Sequence, residues 1–215
     1  MKRNKADKSF YRAIEATVTP GEGEGVIDAL PVVFNSYSVP IYDWGVDEEF
    51  REIILPNALD ETDLSDVLLL VNHNENMIPL ARTRESGNDG LGVLKLEITD
   101  KGLHINTKLD IENSTQAREI YTAVKNGVMR GMSFCFYLME GDSRFYRDEN
   151  DILIHEISKI RAITEVSIVT YPAYPSTEVS TRQKRSLEND KKELDNFFRR
   201  EREVQILRGK INLMR

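Results

Sequence analysis

Apolar and polar residues alternate with a period of two over much of residues 11–170, the signature of half-buried strands. Ile14, Ala16 and Val18 alternate with polar neighbours and predict a first strand from Tyr11. The segment PGEGEG at 20–25 breaks it. No Lys-Ser/Thr follows and no helical pattern opens there, so these glycines read as a hairpin turn and not as a phosphate loop. Residues 26–39 (VIDALPVVFNSYSV) predict a strand interrupted at its proline. Beyond it, YDWGVDEEFREIILPNALDETDLSD mixes aromatic, acidic and turn residues and predicts an irregular loop with a short helix.

The short apolar run Val67–Val71 ends in Asn-His-Asn, which predicts a buried strand opening into a loop with His73 at its mouth. LGVLKLEI at 91–98 and GLHINTKL at 102–109 predict a hairpin around the turn Thr99-Asp100-Lys101-Gly102. The period then changes. Ala117, Ile120, Tyr121 and Val124 fall at helical spacing, with Ser114 placed to cap and Gly127 to end the helix. Residues 128–139 and 161–170 predict long strands joined by a polar, acidic connection. After Thr181, Leu187, Leu194, Phe197, Phe198, Val204, Leu207, Ile211 and Met214 recur at helical steps within a charged sequence, predicting an amphipathic helix or coiled-coil arm. The expected organisation is a mobile leader at 1–10, one α+β, β-rich domain at 11–180 with helices at its margins, and a charged helical tail at 181–215.

Composition sharpens this picture. At 215 residues with 40% hydrophobic content, the chain is long enough for one domain with a real core. The net charge of -7 is unevenly spread: residues 181–215 carry 11 Lys/Arg against 6 Asp/Glu, while residues 1–180 carry 18 against 30. Such an acidic body repels phosphate backbones, so no nucleic-acid partner is expected for the domain, and the basic tail suits either an acidic partner or, equally, the acidic body of its own chain. A single cysteine, Cys135, makes no intramolecular disulfide, and no Cys/His cluster offers a zinc site. With no apolar stretch of spanning length and no apolar segment after the lysine-rich start, no membrane association or export is expected.

Three residue types point to peptide-bond chemistry, which needs an activated nucleophile, a base and a group to orient that base. The chain has three histidines, His73, His104 and His155. His104 falls in an alternating strand and reads as a solvated surface residue. His73 is either a base or a strand-end histidine that caps backbone carbonyls. Ser133 stands in Gly131-Met132-Ser133-Phe134-Cys135-Phe136, with no Gly-x-Ser-x-Gly elbow, which disfavours an α/β-hydrolase. Read alone, Ser133 is equally a small polar residue at a half-buried strand position. Glu165 lies in the otherwise apolar Ile163–Val169 segment. Burying its carboxylate is costly without a partner, and a histidine, Arg130 and Arg161 are the candidates.

VVFNSYS at 32–38, EIILPNALDETDLSDV at 52–67, LLVNHNENMIPLART at 69–83, KGLHI at 101–105, GVMRGMSFCF at 127–136 and ITEVSIVTYPAYPST at 163–177 occur in one order and spacing. Together they resemble the prohead (capsid maturation) proteases of tailed phages with the HK97-type head. That resemblance implies a compact, barrel-like antiparallel sheet similar to the herpesvirus assembly proteases. It also implies Ser133 as nucleophile, His73 as base and Glu165 as orienting acid. The herpesvirus relatives use a second histidine as third member, which keeps His155 as the alternative to Glu165. Arg130, Gly131 and Arg161 adjoin the matching segments, but no oxyanion donor is assigned.

The implied function is a serine endopeptidase that needs no cofactor or metal. It would act inside the prohead in the host cytoplasm, on the major capsid protein with its scaffold segment and on itself, and homo-oligomerisation is left open. The competing readings are a catalytically inactive scaffold or head-assembly factor with a protease-like fold, and a general cytosolic peptidase.

Overall fold

A computed structural model describes residues 8–14, 18–43, 48–83, 90–170 and 199. In chain order its strands are β1 (Lys8–Ile14), β2 (Val18–Pro20), β3 (Val26–Val33), β4 (Ile41–Asp43), β5 (Glu48–Ile54), β6 (Leu68–Val71), β7 (Ala81–Arg82), β8 (Lys95–Ile98), β9 (Gly102–Lys108), β10 (Gly131–Leu138), β11 (Ser143–Arg147), β12 (Leu153–Ile157) and β13 (Ala162–Val169). The α-helix α1 (Thr115–Lys125) precedes β10.

These strands form three sheets, ordered β1-β10-β13-β6-β7, β11-β12-β5-β4 and β2-β3-β9-β8. The β-rich expectation holds, whereas the expected antiparallel barrel does not: the described residues close no barrel, and two pairs run parallel, β13 with β6 and β12 with β5. Both parallel pairs join strands from distant parts of the sequence, so local hairpin reasoning has no access to them.

The first sheet carries two different faces. Met132, Phe134 and Phe136 of β10, Val166 and Ile168 of β13 and Leu69 of β6 point into the main core. There they meet Ile27, Val32, Leu103 and Ile105 from the β3–β9 pair and Ala117, Tyr121 and Val124 from α1. Phe134 and Phe136 stack with centroids 5.0 Å apart. Burial of each such side chain is worth roughly 1.5–3 kcal/mol, so this face anchors β10. Strand alternation turns Ser133, Cys135, Ser167 and Glu165 to the opposite face.

A bulge makes that division possible. Cys135 pairs with Glu165 but Phe136 pairs with Ile163, so Thr164 is the extra residue. Without it, Ile163 would share the face of Glu165; with it, Ile163 joins the core. A second register shift, between Ala29 and Val32, absorbs Pro31 within β3, which therefore runs on where an interruption was expected.

The helix forms as its spacing predicts. The Ser114 hydroxyl accepts from Ala117 N at 3.2 Å, and Gly127 leaves the helix at φ +68°. Gln116 Nε2 donates to Ile78 O at 3.1 Å, tying α1 to the loop after β6.

Three segments differ from expectation. The loop and short helix expected after Tyr42 are instead β4, β5 and a single 3-10 turn at Pro56–Leu59. The acidic connection between β10 and β13 is a hairpin, β11–β12. The first strand begins at Lys8, inside the expected leader. Residues 1–7 and, apart from Arg199, the expected helical tail at 181–215 lie outside the described residues.

Candidate active site

Ser133 and Ser167 are directly opposed across the β10–β13 ladder. Opposed positions share a face and set their Cβ atoms about 5 Å apart. Glu165, two residues before Ser167, is on that same face. Ser133, Glu165 and Ser167 are all buried.

His73 enters from β6, which lies on the other side of β13. The strand ends with Asn72 N donating to Ile168 O at 3.0 Å. Asn72 and His73 then both adopt the left-handed conformation, at φ +50° and +56°. Asparagine and histidine tolerate this region better than most residues, and strain of this kind gathers at functional sites. Asn72 Oδ1 accepts from Thr170 N at 3.1 Å, and His73 N donates to the Ser167 hydroxyl at 3.1 Å.

The double left-handed turn brings the His73 ring back over the sheet, where Nδ1 lies 2.6 Å from Glu165 Oε1. The other carboxylate oxygen, Oε2, accepts from the Ser167 hydroxyl at 2.6 Å. The structure thus brings His73 to Glu165, and Arg161 elsewhere: its guanidinium clasps Asp142 at 2.6 and 2.7 Å. Arg130 is exposed, and its carbonyl accepts from Val18 N at 3.1 Å. His104, the expected surface histidine, is partly exposed and bonds Asp28 Oδ1 at 2.8 Å.

A second Ser-His-Glu set lies in the β11-β12-β5-β4 sheet. His155 Nε2 is 2.8 Å from Ser143 Oγ, and its Nδ1 is 2.8 Å from Glu52 Oε2. The two histidines differ in access: the His73 side chain is 21% exposed and that of His155 only 2%. The His155 ring is also stacked on Phe145, with centroids 4.3 Å apart. Both its nitrogens are committed within its own sheet. Sequence reasoning missed Glu52 and Ser143 because β5 reads as a charged loop and β11 as a polar linker. It missed Ser167 as well, although a small hydroxyl two positions from a buried carboxylate in an apolar strand was a usable signal.

The sequence profile described as "Caudovirus prohead serine protease" matches residues 12–193. The chain belongs to this family. It is accordingly a member of the serine proteases of phage capsid maturation, and the profile covers both Ser-His-Glu sets. No curated protein shows a significant match to this prohead protease. Among solved structures it is similar to the bacteriophage T4 capsid assembly protease, gp21, with a TM-score of 0.43 and 9% identity, covering 79% of this chain and 100% of that one. No helix among the described residues is long and apolar enough to cross a membrane.

Proposed function

We propose that this prohead protease cleaves peptide bonds with Ser133 as nucleophile, His73 as general base and Glu165 as the group that orients the base. The observation that carries this reading is the contact of His73 Nδ1 with Glu165 Oε1 at 2.6 Å, on the sheet face that Ser133 shares. An ionised carboxylate only accepts hydrogen bonds, so Nδ1 holds the ring proton and the Nε2 lone pair is the base. His155 is less suited, because its ring is buried and bonded at both nitrogens.

The reaction is acyl transfer. Ser133 Oγ attacks the scissile carbonyl carbon as its proton passes to His73 Nε2, giving a tetrahedral oxyanion. Collapse breaks the C–N bond, and the imidazolium returns the proton to the departing amine. Water, deprotonated by the same Nε2, then hydrolyses the acyl-enzyme and frees Ser133. Throughout, the Glu165 carboxylate faces the ring that becomes cationic, which lowers the energy of the charged state.

The substrates are the scaffold segment of the major capsid protein or a separate scaffold, and the protease itself, cut within the prohead in the host cytoplasm. The basic excess of residues 181–215 and their apolar stripe suit an acidic scaffold as the docking partner. Deleting residues 186–215 and measuring protease content of proheads tests that part.

The deciding experiment is co-expression of the wild type or Ser133→Ala with the capsid protein encoded beside it, followed by intact-mass analysis of both chains. Truncation by the wild type alone is the expected result. Cutting by Ser133→Ala would remove Ser133 as nucleophile. Absence of cutting by either form would favour a head-assembly factor that keeps only the fold.

A further inference from the structure

We infer that Ser167 is a positioning residue of this reaction, holding both the base and its carboxylate in register with Ser133; the inference rests on the triad reading above. Its hydroxyl makes two bonds to two different members of the site. It donates to Glu165 Oε2 at 2.6 Å and accepts from His73 N at 3.1 Å.

Each bond fixes a different freedom. With Oε2 held by Ser167 and Oε1 by the ring, the carboxylate plane of Glu165 has no rotation left that keeps both contacts. The bond from His73 N secures the peptide of a residue at φ +56°, a conformation that a non-glycine residue keeps only when its surroundings hold it. Ser167 is also the residue facing Ser133 across the ladder, so one residue pairs with the nucleophile's position through its backbone and bonds acid and base through its side chain. Serine suits this place because it donates once and accepts at the same oxygen, in a volume that a site with no solvent exposure can hold.

The test compares Ser167→Ala, Ser167→Thr and Ser167→Val, assayed on a peptide spanning the cleavage site that intact-mass analysis identifies. Threonine and valine have nearly the same shape and differ by a hydroxyl in place of a methyl, so most of the packing effect is common to both. The expected result is a fall in kcat of about 10–100-fold for Ser167→Ala and Ser167→Val, with KM little changed and most of kcat recovered in Ser167→Thr. Should Ser167→Val fail to fold, judged by its melting temperature, the kcat of Ser167→Ala decides alone. Equal kcat for the threonine and valine variants, or wild-type kcat for Ser167→Ala, would overturn the inference while an inert Ser133→Ala leaves the triad standing. An active Ser133→Ala would instead remove the triad, and the role of Ser167 with it.

Discussion

His73 Nδ1 and Glu165 Oε1 meet at 2.6 Å although 92 residues separate them in the chain. The carboxylate is nearly buried, at 3% side-chain exposure, so its charge acts on the ring with little screening by water. Glu165→Gln keeps the shape and removes the charge. Its amide N–H can face Nδ1 and force the proton onto Nε2, where the base is needed. We expect kcat to fall by about four orders of magnitude, on the pattern of other Ser-His-acid sites, with the fold intact. A loss below tenfold on the cleavage-site peptide would show that Glu165 does not orient the base.

The Ser143–His155–Glu52 set has the connectivity of a triad, carried by β11, β12 and β5. Ser143→Ala is expected to leave capsid-protein cleavage near wild type, in contrast to Ser133→Ala. Glu52→Ala removes the partner of a buried ring and should destabilise the fold by about 1–3 kcal/mol, read from urea midpoints. Loss of cleavage in a folded Ser143→Ala protein would reverse the assignment of the two sets.

Gly102 opens β9 at φ +148°, and a Cβ there would lie 1.8 Å from Val32 O. The clash is with backbone, so no rotamer relieves it. Gly102→Ala should cost more than about 2 kcal/mol, because β3 and β9 must separate where they pair. Thermal melts within a degree of wild type would contradict the close approach.

Ser133 has no solvent exposure in this conformation. Attack requires a carbonyl carbon within about 3–3.5 Å of Oγ, so the serine must be uncovered before it acts. A fluorophosphonate probe should therefore label Ser133 slowly in the isolated protein and faster in particles assembled with the capsid protein, measured as mass shift against time. Equal rates in the two settings would mean that burial does not limit reactivity.

The elements with a single dominant period were legible in the sequence. The α1 stripe with Ser114 and Gly127 is one case, and the β8–β9 turn is another. What escaped was structure whose buried positions carry charge. Phe50, Glu52 and Ile54 alternate correctly for β5, but a buried glutamate reads as surface until its histidine partner is known. The β11–β12 hairpin was hidden the same way, because His155 looks polar and is buried. The candidate residues were singled out by type, whereas their arrangement was not legible: neither the parallel β6–β13 pair nor the bulge at Thr164 leaves a local pattern, and together they aim His73 and Glu165 at each other.

The parallel pairing of β6 with β13 also sets when His73 and Glu165 can meet. Leu68 opposes Glu165, so a long stretch of chain must be synthesised and its closure entropy met before these two residues and their neighbours meet. Contacts of this separation form late and slowly. A nascent chain still on the ribosome short of residue 169 carries His73 and Ser133 but no β13 to join them. Topology thus acts as a timer, keeping the contact of His73 with Glu165 from forming until translation has passed β13.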